Sequence, residues 1–264
     1  MSFVAVCQFA PGTDAVANLA VIHSFASSAA SRGATLVVFP EYSSFFEIEA
    51  GAASIAASEP LDGPFVDALC SIAVSLGIHL VAGMLETVDA SHFSNTIVAV
   101  SPAGVVEATY RKLHLYDAFG QQESDIVRAG DIAPPETFAW EGFTVGMQTC
   151  YDIRFPEVSR RLVDAGADLV LVPAEWVRGP LKEHHWRTLV TARALENTIY
   201  VAAADHAPPI GVGNSMVVDP MGVELVTIGE EAGIAVAEVS SERVAAVRQI
   251  NPALALRRFG THPL

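Results

Sequence analysis

The chain has 264 residues, 51% of them hydrophobic, enough to bury a substantial core and too apolar for a disordered segment. Fifteen basic residues against thirty acidic ones give a formal net charge of −15. That balance argues against nucleic acid and against an anionic membrane surface, which both call for clustered Lys and Arg. No run of about 18 apolar residues occurs, so no membrane span is expected. The opening MSFVAVCQFAPG lacks a positive leader region and reads as a strand at once, so no secretory signal is expected. The three cysteines, Cys7, Cys70 and Cys150, are odd in number and far apart. They fit free thiols in a reducing compartment, which points to the cytoplasm.

Short β-branched runs alternate with Ala-rich helical segments along the chain. Phe3–Phe9 reads as a strand, and 14–31 as a helix opened by Thr13-Asp14 and closed by Gly33. Thr35–Phe39 is a buried strand that runs into Pro40-Glu41. A helix over 62–76 and a strand over 79–85 follow. Phe93–Val100 and Val105–Tyr110 flank the turn Ser101-Pro-Ala-Gly104 and form a hairpin. The strand 143–149 meets a helix over 156–166. A strand at 169–172, a helix over 184–197 and a strand at 199–204 come next. A second hairpin, 214–219 with 223–227, turns on Pro220-Met221-Gly222. A strand at 233–239 and a helix over 241–251 complete the series. No linker, repeat or low-complexity stretch divides the chain, so 1–264 is expected to be one domain. The alternation points to mixed sheets covered by helices, and two such halves could pack sheet against sheet.

Three polar residues stand where strands end. Glu41 follows LVVFP, Lys112 follows VVEATYR, and Cys150 ends FTVGMQT. Singly, each has an ordinary explanation: a helix cap or loop carboxylate, an exposed basic turn beside Arg111 and His114, and a small buried hydrophobe. Ligands in α/β sheets gather outside the carboxyl ends of strands, so the three could meet. Their chemistry is complementary. A thiol needs a base or a positive field to become a nucleophile, and Glu41 could accept its proton. Lys112 could stabilise the negative charge that follows, and the Tyr151 N–H, near a helix start, could be a second donor to an oxyanion. Such a set suits acyl transfer from an amide or a related carbon–nitrogen compound. No metal site is expected, since adjacent His184 and His185 point in different directions on a helix. No phosphate-binding glycine motif appears, and no cofactor is expected.

The chain resembles the nitrilase, or carbon–nitrogen hydrolase, superfamily. VVFPEYS, YRKLHLYD and CYDIRFPE carry the resemblance in order, supported by WRTLVTARALENTIYVAAA, GNSMVVDPMGVEL and VRQINPALALRRF, and it spans residues 3–259. The resemblance implies that Glu41 is the general base, Lys112 the cationic partner of the oxyanion and Cys150 the nucleophile. It also implies that Glu123, in FGQQES, is the second glutamate, positioning the lysine and the substrate nitrogen, after a loop from Asp117 shorter than that of relatives. The implied fold is a four-layer α-β-β-α sandwich of two mixed sheets covered by helices. Relatives usually dimerise with sheets extending across the interface, so a homodimer or higher homo-oligomer is expected.

The YRKLHLYD and tail segments look like the branch of omega-amidases and deaminated-glutathione amidases. That branch implies hydrolysis of the terminal amide of a small dicarboxylate, 2-oxoglutaramate or deaminated glutathione in type, through a thioester, with release of ammonia. An acidic substrate needs a cation, and Arg178 in AEWVRGP is a candidate; Arg154 is another, although its place inside CYDIRFPE suits a structural ion pair better. Phe45, Phe46, Tyr116 and Trp176 are candidates for an apolar wall. An aliphatic monoamide or an N-carbamoyl amine or amino acid is the alternative substrate class, and a nitrile ranks last. A non-catalytic scaffold is disfavoured because Glu41, Lys112 and Cys150 are all present, and a membrane N-acyltransferase because no span is.

Overall fold

Two six-stranded mixed sheets stack face to face in the computed structural model, which describes residues 1–263. The first half runs β1 (Ser2–Gln8), α1 (Ala15–Ser31), β2 (Leu36–Val38), α2 (Ala52–Ala57), α3 (Pro64–Leu76), β3 (His79–Thr87), β4 (Phe93–Val100) and β5 (Val106–Arg111). The second runs β6 (Thr137–Trp140), β7 (Phe143–Met147), α4 (Pro156–Asp164), β8 (Leu169–Ala174), α5 (Lys182–Asn197), β9 (Tyr200–Asp205), β10 (Met216–Val218) and β11 (Glu224–Thr227). β12 (Gly233–Val239) then returns to the first sheet, and α6 (Ser241–Ile250) follows.

The sheets share one plan. In the first, ordered β12-β1-β2-β3-β4-β5, the trio β1, β2 and β3 is parallel and the outer pairings are antiparallel. In the second, ordered β11-β10-β9-β8-β7-β6, the parallel trio is β7, β8 and β9. Parallel neighbours need long crossovers, and α1, α3, α4 and α5 supply them. Strands covered on both faces read as continuous apolar runs, which accounts for LVV in β2 and LVLVPA in β8, every residue of which is buried.

Three apolar layers result. Val4, Val6, Val38 and Ile97 of the first sheet meet Met147, Leu171, Ala202 and Val217 of the second between the sheets. The outer face of the first sheet packs on α1 and α3 through Ile22, Ala26, Phe65 and Leu69. The outer face of the second packs on α4 and α5 through Leu162, Trp186, Val190 and Ala194. This is the α-β-β-α sandwich.

Some expected bounds move. Cap geometry decides α1, which starts at Ala15 because the Asp14 carboxylate accepts the N–H groups of Val16 and Ala17 at 3.0 and 3.1 Å. The α5 helix begins at Lys182, two residues ahead of His184. Two short elements, α2 and β6, went unread, because six and four residues give a periodicity test too little to work on. No described helix is long and apolar enough to cross a membrane.

Candidate active site

Glu41 leaves the end of β2 on a tight turn that β3 holds from beneath. The Gly83 N–H donates to the Pro40 carbonyl at 3.1 Å, and the Gly83 carbonyl accepts the Ser44 N–H at 3.2 Å. A Cβ at Gly83 would stand 2.6 Å from the Tyr42 nitrogen and 2.7 Å from the Glu41 Cα, so only glycine lets the turn sit so low. Tyr42 itself takes a left-handed backbone, φ 56°. His206, just past β9, is buried and contacts the Glu41 carbonyl through Nε2 at 2.7 Å. Burial lowers its pKa to about 4, so the ring is neutral at physiological pH and Nε2–H is the donor.

Lys112 follows β5 and is 2% exposed. Its ammonium lies 2.9 Å from Glu41 Oε1 and 3.0 Å from Glu123 Oε2. Glu123, in a single 3-10 turn, also accepts the Tyr42 hydroxyl at 2.7 Å and the Tyr116 N–H at 2.5 Å. The Asn95 side-chain amide, from β4, donates to both Glu41 and Glu123. Burial works against the Lys112 charge, but the Glu123 and Glu41 carboxylates more than offset it and hold the pKa well above the usual lysine range. Burial would also raise the Glu123 pKa, yet Lys112 and the donors around the carboxylate bring it below its ordinary value.

Cys150 comes from the other sheet. The chain leaves β7, and at Cys150 the backbone is left-handed, φ 44°, before a 3-10 turn over Cys150–Arg154 and then α4. A non-glycine residue in that region is strained, and the strain persists because the surrounding structure holds it. The turn turns the thiol toward the sheet ends, and its first amides, Tyr151 included, precede any intrahelical acceptor. Asp152, fully buried, fixes the turn to the lysine segment: it accepts the Tyr110 hydroxyl at 2.7 Å and the His114 N–H at 2.9 Å. The thiol reaches the Glu175 carbonyl at 3.3 Å, and the Glu175 N–H donates to Glu41 Oε2 at 2.6 Å. Burial first, then the Glu41 charge, raises the Cys150 pKa well above the ordinary thiol value, so the resting sulfur is protonated.

A cavity of about 330 Å³ opens over this cluster. Lys112, Glu123, Cys150, Tyr151, Trp176, Tyr116, Phe45 and Phe46, all singled out in the sequence, line it. Glu41 sits beneath, bonded to Lys112. Arg178 is a correction: it lies outside the lining, exposed, and pairs with Glu230 at 3.1 Å. Past Trp176, whose N–H is held by Asp205 at 2.6 Å, the chain pairs with 210–211: Val177 bridges Gly211, the Arg178 N–H donates to the Ile210 carbonyl at 2.9 Å, and the Arg178 side chain faces water. Arg154 is half-buried beside the cavity rather than in an ion pair, its guanidinium carbon 4.9 Å from the Trp176 ring centre.

Several functional neighbours were not read from the sequence. Asn95 stands between Ser94 and Thr96 in β4, all three buried, so nothing local marks it out from its polar neighbours. The signal that drew attention to Glu41, an acid at the carboxyl end of an apolar strand, applies equally to Glu175 after LVLVPA and to Asp205 after YVAAA. Glu175 lines the cavity, and burial followed by the nearby Glu41 charge pushes its pKa well above the ordinary carboxylate value. Lys182, which also lines the cavity, lies in a loop-to-helix stretch with no local signal.

The sequence profile of the Carbon-nitrogen hydrolase family matches residues 3–249. A Mycobacterium tuberculosis hydrolase is 38% identical over 261 residues, covering 93% of this chain and 91% of that protein. The deaminated glutathione amidase of Escherichia coli O157:H7 is 38% identical over 263 residues, 97% of each. Among solved structures, the Caenorhabditis elegans NitFhit protein superposes with a TM-score of 0.88 at 30% identity, over 97% of this chain and 65% of that longer one. A variant of the amidase from Nesterenkonia sp. AN1, carrying the acetamide moiety of fluoroacetamide covalently on its active-site cysteine, gives a TM-score of 0.79 at 28% identity, over 97% of each chain.

Proposed function

The chain belongs to the carbon–nitrogen hydrolase family, and on that premise we propose that it hydrolyses the terminal amide of a small dicarboxylate, with Cys150 as nucleophile. The observation that carries the reading is the buried cluster of Glu41, Lys112 and Glu123 at the base of a cavity shared with a thiol on a strained turn. Because the resting thiol is protonated, a base has to act, and Glu41 is the carboxylate placed to take the proton as sulfur attacks the carbonyl carbon. The oxyanion is stabilised by the Lys112 ammonium and the Tyr151 N–H. Glu41 then returns the proton to the leaving nitrogen, the C–N bond breaks, and ammonia departs from a Cys150 thioester. Glu41 next removes a proton from water, which attacks the thioester; the carboxylic acid leaves and the thiol is restored. Glu123 holds Lys112 in place and faces the substrate nitrogen.

The dicarboxylate substrate is supported by the 38% identity to a deaminated glutathione amidase. Residues 1–264 are read as one hydrolase domain, supported by the core that both sheets share. A homodimer, checked by sedimentation equilibrium, and a cytoplasmic site, consistent with three free thiols, complete the proposal.

The test is a screen of 2-oxoglutaramate, deaminated glutathione, aliphatic amides, carbamoyl amino acids and nitriles, following ammonia or amine release. Cys150→Ala serves as the blank, and intact-mass trapping follows the acyl adduct. Turnover of an amide with an adduct on Cys150 is expected. Ordinary turnover by Cys150→Ala, or an adduct elsewhere, overturns it.

A further inference from the structure

Lys182 is a buried ammonium in search of an anion. It stands in the first turn of α5, is only 6% exposed, and lines the same cavity as Cys150. Burying a charge is unfavourable unless an opposite charge or a full set of hydrogen bonds compensates it. Among the described residues Lys182 has no ion pair. One of its three donors reaches the Tyr116 hydroxyl at 3.1 Å, and the ammonium otherwise lies 4.8 to 5.1 Å from the ring centres of Trp176, Phe119 and Tyr116.

A second cation adds to the imbalance. The Arg154 guanidinium lies against the same Trp176 ring, has no carboxylate partner among the described residues, and leaves its buried Nε without a hydrogen bond. The acids nearby do not neutralise the pair. Neither Glu175, whose ionised form burial and the Glu41 charge disfavour, nor Asp205, which accepts the Trp176 N–H, forms an ion pair with them; Glu123 is committed to Lys112, and Glu47 to the Gly51 and Ser54 N–H groups. Glu49 and Asp125, also on the cavity, face water. Burial, aided by the Arg154 charge and only partly opposed by Cys150, Glu175 and Asp205, keeps the Lys182 pKa below its ordinary value, a penalty that a bound anion would relieve.

We propose that Lys182, supported by Arg154, binds the carboxylate at the end of the substrate remote from the scissile amide. The proposal rests on the amidase reading and adds the residue that would make the site prefer an ω-amide carrying a free carboxylate over a neutral or cationic amide. Lys182 thus takes the role that the sequence assigned to Arg178.

Two readouts test it. Calorimetry measures glutarate and the uncharged 1,5-pentanediol binding to the unaltered protein, Lys182→Met and Lys182→Arg. Steady-state kinetics compares glutaramate with pentanamide, which match in length and differ in charge. A charge-assisted hydrogen bond predicts a preference for the anion of roughly ten- to a hundredfold in both, reduced toward parity in Lys182→Met and largely recovered in Lys182→Arg. Equal binding of glutarate and pentanediol by the unaltered protein overturns the proposal, and so does a Lys182→Met variant that weakens both amides by the same factor. If glutarate binds with the expected preference while no amide acylates Cys150, the carboxylate site stands and the amidase reading falls.

Discussion

Replacing Gly83 by alanine adds one methyl group beneath the turn that carries Glu41, and the structure sets how far that turn must move. The new Cβ would lie 2.6 Å from the Tyr42 nitrogen and 2.7 Å from the Glu41 Cα. Ordinary contact begins near 3.4 Å, so relief needs a separation of about 0.8 Å between β3 and the turn. The strand is paired on both sides, along its length with β4 and through Leu80 and Val81 with β2, so most of the movement falls on Glu41. A shift of that size carries Glu41 Oε1 from 2.9 Å to beyond hydrogen-bonding distance of the Lys112 ammonium. Misplacing a reacting group by about 1 Å costs on the order of a hundredfold in rate, and overpacking costs about 1–3 kcal/mol in stability. Gly83→Ala is therefore expected to lose about two orders of magnitude in kcat while still folding, with a melting temperature lowered by a few degrees. Kinetics on the best amide, beside circular dichroism melting, checks both. A variant with unaltered kcat would refute the claim that Gly83 sets the height of the Glu41 turn.

Glu123→Gln tests the second carboxylate. Its oxygens accept only from donors, namely Tyr42, Tyr116, Asn95 and Lys112, so the Gln amide must turn an N–H toward one of them. A loss of roughly ten- to a hundredfold in kcat, with a smaller change in KM, is expected, and an unchanged kcat contradicts the positioning role. His206 predicts a pH dependence of stability. The folded ring stays neutral down to about pH 4, whereas an unfolded histidine takes a proton near pH 6.5. The unfolded state therefore binds more protons as pH falls through that window. Stability due to this group is complete above about 6.5 and declines by about 3 kcal/mol by pH 4. Urea unfolding at pH 7 to 4 should show a shallower decline for His206→Gln, and equal slopes would contradict a buried neutral ring.

The sheets were largely legible, because each parallel strand is a continuous apolar run and each crossover helix an Ala-rich or amphipathic segment. The pairing of β12 with β1 was not, since nothing local in GIAVAEV says that its partner lies at the opposite end of the chain. At the site, Glu41, Lys112 and Cys150 stood out because chemistry at strand ends is conspicuous, but convergence itself came from the resemblance and the fold. Glu175 was readable by the same rule and was passed over. Lys182 and Arg178 show where reading by proximity in sequence fails: the pairing of 177–178 with 210–211 leaves the Arg178 side chain in solvent, while the start of α5 returns Lys182 to the cavity.

The residues gathered at the cavity hang from different sheets, Cys150 and Glu175 from the second, Glu41, Asn95 and Lys112 from the first. Glu41, Lys112 and Glu123 all precede Cys150 along the chain, and the sulfur meets them only where the two sheets stack. The pairing of sulfur with its base is thus a property of the stacked sandwich and of neither half alone, so any opening between the two sheets separates the thiol from Glu41 and Lys112 before either sheet itself comes apart.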